Sequence, residues 1–380
     1  MRVLDLSRLL PGPYASLLLA DLGASVDKVE DPAGGDAVRQ LPPLLGEDSA
    51  FFCGLNRSKR SLSLNLKHPK GAAAFRRLAS RYDVLLESFR PGVMDRLGLS
   101  FETLRAENPR LIYCAISGYG QDGPDRLKAG HDINYLARSG VLGCGGEPGG
   151  APALAGVQIA DVGGGSLFAV VGILAALYER IRTGQGRFVD VSMTDGSLAF
   201  LHMHLAGAML ANSPVPLSRG NQALNGGYAS YNLYKTADGR YLSVGALEPK
   251  FFANLCARLG RPELTEQAYD AGEGDRAVRA ELAHIFASKP LAHWLQLFEG
   301  ADACVEPVRE GFEVLEDPQL RARGVFVEGH LRTPLDFGPI LLSPAPKLGQ
   351  HSREILREAG FSPREIEDLR LALSADWPAS

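Results

Sequence analysis

The sequence predicts an α/β protein: an open parallel sheet with helices on both faces, Rossmann-like, plus a smaller α+β domain. Three observations predict it. Short apolar runs alternate with helical segments through the first third of the chain. The connections between them are short, as strand–helix–strand crossovers require. Beyond residue 226 the texture changes to paired strands around a tight turn.

The elements follow in order. Residues 3–6 form a first short strand. Pro11-Gly12-Pro13 reads as a turn, and 14–22 as an apolar helix stopped by Gly23. Residues 24–29 make the next strand, and 61–66 alternate with period two, the pattern of a half-exposed strand. A helix over 69–82 carries Pro69 in its first turn. Then come a strand at 84–88, the turn Arg90-Pro91-Gly92, a helix near 101–108 and a strand over 111–116. From Asp161 an apolar helix runs to about Thr183, followed by a strand at 188–191 and a long helix over 193–210. Residues 219–227 are polar and glycine-rich and read as a linker; 228–236 and 240–244, around Ala237-Asp238-Gly239, read as a hairpin. A tail bearing Pro334, Pro339, Pro344 and Pro346 returns to a short helix with Ser362 as cap and Pro363 at its first position. The expected division is a large domain over 1–190, a linker helix and loop over 191–226, a small domain over 227–325, and a return segment over 326–380 that completes the large domain.

Bulk properties narrow the function. At 380 residues the chain exceeds one ordinary domain. It is 45% hydrophobic and 22% charged, an ordinary globular composition. A net charge of −4 and a pI near 6.1 argue against nonspecific nucleic-acid binding but permit a local basic pocket. Cys53, Cys114, Cys144, Cys256 and Cys304 form no CxxC pair, which argues against a zinc site and suits a reducing cytosol. Arg2, Asp5 and Arg8 interrupt the N-terminal apolar residues, so no secretory signal is expected. The longest apolar run, 167–177, is too short for a bilayer and reads as a buried helix, so no membrane partner and a cytoplasmic location are expected.

Familiar nucleotide and hydrolase motifs are missing. There is no GxxxxGK[ST] and no GxGxxG after the first strand, and Ala115 spoils a GxSxG reading around Ser117. Arg57, Lys59 and Arg60 crowd one turn before a strand, which is either a phosphate site or a solvated loop. Arg39 and Arg90 fall in loops expected at the carboxyl edge of the sheet, where open α/β sheets bind ligands, and this favours binding. His131 follows Gly130 in a loop after several charged residues, and imidazole is the side-chain type suited to proton transfer at neutral pH. Asp161 stands just before Gly163, Gly164 and Gly165 at the head of an apolar helix. It is either a plain cap or a proton-transfer group beside exposed N–H donors, and the glycine run favours the second. Spacing alone does not select Glu248, which precedes Pro249 after a small-domain strand.

Taken together, these segments resemble the class III CoA-transferase family. The resemblance runs through Pro11-Gly12-Pro13-Tyr14-Ala15, Ala20-Asp21-Leu22-Gly23-Ala24, Lys28-Val29-Glu30-Asp31-Pro32, Gly35-Asp36, Asn56-Arg57-Ser58-Lys59-Arg60-Ser61, Phe89-Arg90-Pro91-Gly92-Val93, Ser117-Gly118-Tyr119-Gly120-Gln121-Asp122-Gly123-Pro124 and Ala303-Cys304-Val305-Glu306-Pro307-Val308. Within the family, Gly130-His131-Asp132-Ile133-Asn134-Tyr135 and Gly245-Ala246-Leu247-Glu248-Pro249 are most similar to its 2-methylacyl-CoA racemases. That resemblance implies a proton-transfer site of His131, Asp161 and Glu248, racemisation through an enolate, and an oxyanion site at the backbone of Gly163 and Gly164. In the transferases of the family the same Asp is a nucleophile that forms an aspartyl-CoA anhydride. Leu17 stands where many of those have Gln, and no glycine-rich loop lies near the Glu248 hairpin; both favour the racemase. A catalytically silent CoA-binding protein is the third reading. The resemblance also implies CoA held by Arg39, Arg57, Lys59, Arg60, Arg90, Met94 and Tyr135, and an interlocked homodimer whose partner closes the site. It implies neither a metal nor a cofactor, CoA being part of the substrate. The acyl group stays open, with Met193 and the segment 203–210 offering an apolar surface.

Overall fold

The structure, a computed structural model, describes residues 1–210, 218–267, 273–335, 338, 342–373 and 377. Six strands build the main sheet: β1 (Arg2–Asp5), β2 (Ser25–Glu30), β3 (Arg60–Ser63), β4 (Val84–Glu87), β5 (Ile112–Ser117) and β6 (Phe188–Ser192). They pair in the order β3-β2-β1-β4-β5-β6, and every pairing is parallel. The strand order reverses between β1 and β4. Chain leaving these two strands diverges to opposite faces and opens a crevice at their carboxyl ends. Leu4, Leu62, Leu85 and Ile112 on these strands are fully buried. Phe101, Tyr113 and Phe188 cluster with ring centroids 5.3–5.9 Å apart, Tyr113 stacking on Phe188 and meeting Phe101 edge-on.

Four sequence expectations change. The strand expected to be half-exposed, β3, is an edge strand, yet Ser61, Leu62 and Ser63 are all buried. The return segment covers it: Gly349 N–H donates to Ser61 Oγ at 2.9 Å, His351 N–H to the Ser61 carbonyl at 2.9 Å, and Ser63 N–H to Ser352 Oγ at 3.1 Å. The alternating serines are therefore buried hydrogen-bonding groups, satisfied by chain from far along the sequence. The expected turn Pro11-Gly12-Pro13 is the first turn of helix Pro11–Asp21. Pro fits there because its missing N–H has no helical acceptor to lose, and any side chain at Gly12 would overlap Ser7. The apolar helix from Asp161 begins as a π-helix over Ala160–Leu167 and continues as an α-helix over Phe168–Thr183. By length and composition alone this 24-residue stretch could cross a membrane, unlike the shorter apolar run read from the sequence. The long helix expected over 193–210 is broken into Met193–Ala199 and His202–Leu210.

The glycines of the π-helix have a packing reason that the sequence did not reveal. A Cβ on Gly164 would lie 2.7 Å from the Met193 carbonyl oxygen, and one on Gly163 2.7 Å from the Phe200 ring. From the other side, a Cβ on Gly196 would run into the Gly164 carbonyl. Two backbones meet here with no room for side chains. Gly196→Ala is expected to destabilise the fold by ~1–3 kcal/mol, as overpacking does, read as a lowered midpoint in urea; an unchanged midpoint would show that the contact relaxes freely.

The residues gather into two compact units. One comprises Met1–Val141, Gly156–His202 and Val327–Ser380; the other comprises Leu142–Ala155 and Met203–Phe326. Residues 142–155, expected with the large domain, group with the second unit. That unit has an antiparallel sheet of β7 (Tyr231–Lys235), β8 (Tyr241–Gly245) and β9 (Val305–Pro307), in the order β9-β8-β7. Phe252, Leu282, Phe286 and Trp294 form its own core. The expected helix after Ser362 is present, with Ser362 Oγ accepting from Glu365 N–H at 3.3 Å. Pro339 lies outside the described residues, as does part of the expected linker.

Candidate active site

Helix Asp132–Ser139 positions the first candidate group. His131 stands at its N-cap, exposed. The His131 N–H donates to Asn134 Oδ1 at 3.0 Å, and the His131 carbonyl accepts from Asn134 N–H at 2.8 Å. The Tyr135 hydroxyl donates to the Gly130 carbonyl at 2.5 Å, tying the loop to the helix behind it. The Tyr135 ring needs this space: a Cβ on Gly118 would overlap it, and one on Gly130 would lie 2.7 Å away. Burial and the neighbouring Asp161 charge push the Tyr135 phenol up to about 12.

Asp161 lies in the first turn of the π-helix, half-buried. It is not the N-cap; Ile159 is, and it offers no side-chain cap. The capping acceptor comes from elsewhere. Asp132 Oδ1 accepts the N–H of Ala160 at 2.7 Å and of Asp161 at 3.0 Å. Burial raises the Asp161 carboxyl, the adjacent Asp132 charge raises it further and His131 opposes them, leaving it pushed up to about 6. Asp132 lies inside the segment Gly130-His131-Asp132-Ile133-Asn134-Tyr135, where the sequence alone assigns it no role. Its signal was an acid in a helix first turn directly after His131.

His131 and Asp161 both line one cavity of about 1040 Å³, whose walls include Leu10, Tyr14, Leu17 and Arg90. A smaller cavity of about 410 Å³ lies at the ends of β1 and β4, with Arg8, Lys67, Arg90 and Arg96 in its walls. Lys128 lines the larger one. Among the described residues, none of these five cations has a carboxylate ion-pair partner. Four of them were missed because they are scattered singly along the sequence and only the crevice gathers them.

The basic residues expected to hold phosphate stand differently. Arg57 is buried and donates to both carboxylate oxygens of Asp21, at 2.6 and 2.7 Å. Lys59 is buried and donates to the Pro13 carbonyl and Asn56 Oδ1, each at 2.9 Å, with Asp5 3.6 Å away. Arg60 pairs with Asp27, Glu354 and Glu358 at 2.7–2.9 Å. Arg39 grips Glu30 and Asp48 and lies over the Phe52 ring. Neither a solvated loop nor a row of free cations, this segment is an internal ion-pair cluster, because desolvated cations need such partners. Among the described residues, Arg90 alone of the predicted cations is exposed and has no carboxylate partner. Met94 is buried in the core of the first unit. Gly163 and Gly164 serve the helix contact described above, and the amides of Ala160 and Asp161 are already taken by Asp132. Glu248 belongs to the second unit, exposed at the N-cap of helix Pro249–Arg258 with no capping bond from its side chain.

Residues 1–352 match CoA-transferase family III. The chain is 41% identical over 378 residues to the alpha-methylacyl-CoA racemase of Homo sapiens, covering 97% of this chain and 94% of that protein. It is 36% identical over 376 residues to the succinyl-CoA:glutarate CoA-transferase of Mus musculus, covering 94% and 85%. The solved structure of a CAIB/BAIF family protein from Brucella suis superposes with a TM-score of 0.81 at 32% identity, covering 94% of this chain and 98% of that one. Racemases and transferases thus both stand among its relatives, and the chain belongs to CoA-transferase family III.

Proposed function

We propose that this protein racemises 2-methylacyl-CoA thioesters by 1,1-proton transfer. One observation carries the reading: an imidazole and a carboxyl raised to about 6 line the same cavity. Groups that titrate near neutrality give and take protons efficiently at neutral pH. One base removes the proton from C2, and the C–H electron pair moves into the thioester as an enolate. The acid on the opposite face returns a proton to C2, and the two exchange roles for the other enantiomer. The developing oxyanion needs N–H donors placed in advance. In the first turn of helix Asp132–Ser139 the amides of Asp132 and Ile133 have no acceptor within the helix, and they adjoin His131. They take the oxyanion role that the family resemblance implies for Gly163 and Gly164. The CoA phosphates fit the smaller cavity with its cations Arg8, Lys67, Arg90 and Arg96. Glu248 enters by resemblance alone, as the partner that fixes the His131 tautomer.

A homodimer belongs to the same proposal. Val171, Leu174, Tyr178 and Ile181 make one stripe along helix Phe168–Thr183 and are 60%, 42%, 68% and 81% exposed. Such a stripe on a helix supports burial against another surface.

The test is proton NMR of a chiral 2-methylacyl-CoA in heavy water. Deuterium is expected at C2 from either enantiomer, with loss of optical purity. If CoA moves between carboxylic acids and C2 keeps its proton, the racemase reading fails and Asp161 is the nucleophile of a transferase.

A further inference from the structure

The bond between Asp132 and the start of the π-helix is unusual in where it comes from. A helix normally takes its cap from its own N-cap side chain. Here that position is Ile159, which has no acceptor, and the cap arrives from Asp132 on another helix. For stability alone a Ser or Asp at 159 would serve. A cap delivered by the residue next to His131 does more, because it binds the backbone of Asp161 to the backbone neighbour of His131.

We propose that Asp132 is the positioning residue of this site: one carboxylate that fixes the spacing of His131 and Asp161. The inference rests on the reading that these two groups carry the chemistry, whichever of the two family reactions they perform. Its geometry is compact. Oδ1 takes two adjacent first-turn N–H groups at once, so the Asp161 backbone can neither swing nor slide without breaking both bonds. The residues on either side are held as well. Asn134 fixes the His131 N–H, and Tyr135 fixes the Gly130 carbonyl. The three contacts make residues 130–135 a rigid bracket, with Asp161 attached at its centre.

The same carboxylate has an electrostatic effect. The charged groups acting on Asp161 are Asp132, which favours its protonated form, and His131, which opposes this; Tyr135 lies beside them. The elements packed against the π-helix also carry Asp195, on helix Met193–Ala199, and Asp21, on helix Pro11–Asp21. Burial raises the Asp161 carboxyl first and Asp132 adds to it, so the position of Asp161 and part of its proton affinity run through Asp132, and two substitutions separate them. Asp132→Asn keeps an oxygen acceptor for the two N–H groups and removes the charge. Asp132→Ala removes both.

Two measurements on the full chain test this. Amide hydrogen exchange over residues 158–163 is expected to accelerate at least tenfold in Asp132→Ala and to stay near wild type in Asp132→Asn. The low-pH limb of activity, followed as C2 exchange or as CoA transfer according to which the wild type performs, is expected to move down by about one pH unit in Asp132→Asn, the size of a near like-charge effect. Asp132→Ala is expected to lose activity, and Asp132→Asn to restore most of it. Unchanged exchange in Asp132→Ala, or a limb that does not move in Asp132→Asn, overturns the proposal. Absence of C2 exchange in the wild type bears instead on the racemase reading.

Discussion

Replacing Asp161 with Asn is expected to lower C2 deuterium exchange by about 10³-fold, within the range that one positioned acid–base group supplies. Asn has the same shape, and the Asp132 contact is to the backbone of residue 161, so the fold and the helix start are kept. The loss is chemical, because an amide neither accepts nor delivers the C2 proton. The pH dependence of the unsubstituted protein follows from the same group. For the enantiomer whose proton Asp161 removes, the working form is the carboxylate. Its proton affinity is raised to about 6, so that form is present above pH 6 and is lost as the pH falls through 6. The acid limb for that enantiomer is expected to have its midpoint near 6. An Asp161→Asn protein that exchanges C2 at the wild-type rate would remove Asp161 from the mechanism.

Arg57→Ala is expected to destabilise the protein by about 3–5 kcal/mol, the usual consequence of leaving one member of a buried pair alone. Arg57 is 1% exposed, and its fork meets both oxygens of Asp21. Without it the Asp21 carboxylate stays buried and uncompensated. Adding Asp21→Ala to Arg57→Ala is expected to recover part of the loss, since the stranded charge is then gone. Chemical denaturation of the two variants measures both effects. The alternative role, phosphate binding, makes the opposite prediction: an unchanged midpoint with a raised KM for the thioester. That result would return Arg57 to the ligand site.

Arg57 also shows why part of the candidate site could not be read in advance. Three cations within four residues look alike in a sequence whether they face phosphate, water or carboxylates. What separates them is a partner brought close by folding: Asp21 for Arg57, Asp5 for Lys59, and Glu354 and Glu358 near the far end of the chain for Arg60. Conversely, Arg8, Lys67 and Arg96 have no local signature and share a cavity wall only because the sheet order reverses between β1 and β4. The glycine run is similar: in a sequence it reads as exposed amides, and the fold also uses it to bring two backbones into contact.

Local physics made the rest legible. Strand and helix positions came from periodicity, the last helix from Ser362 and Pro363, and the parallel sheet from alternating elements with short connections, because each of these depends on near neighbours. The family, and His131 and Asp161 as its marked residues, were likewise written in short motifs. By itself, then, the sequence determined the fold class, most of the elements and the identity of the two candidate groups. The tertiary structure alone decided which cations are free, which serines are buried, and that Asp132 spans from one group to the other. The physical reason is that burial and ion pairing act through space, between groups whose separation along the chain says nothing of their distance.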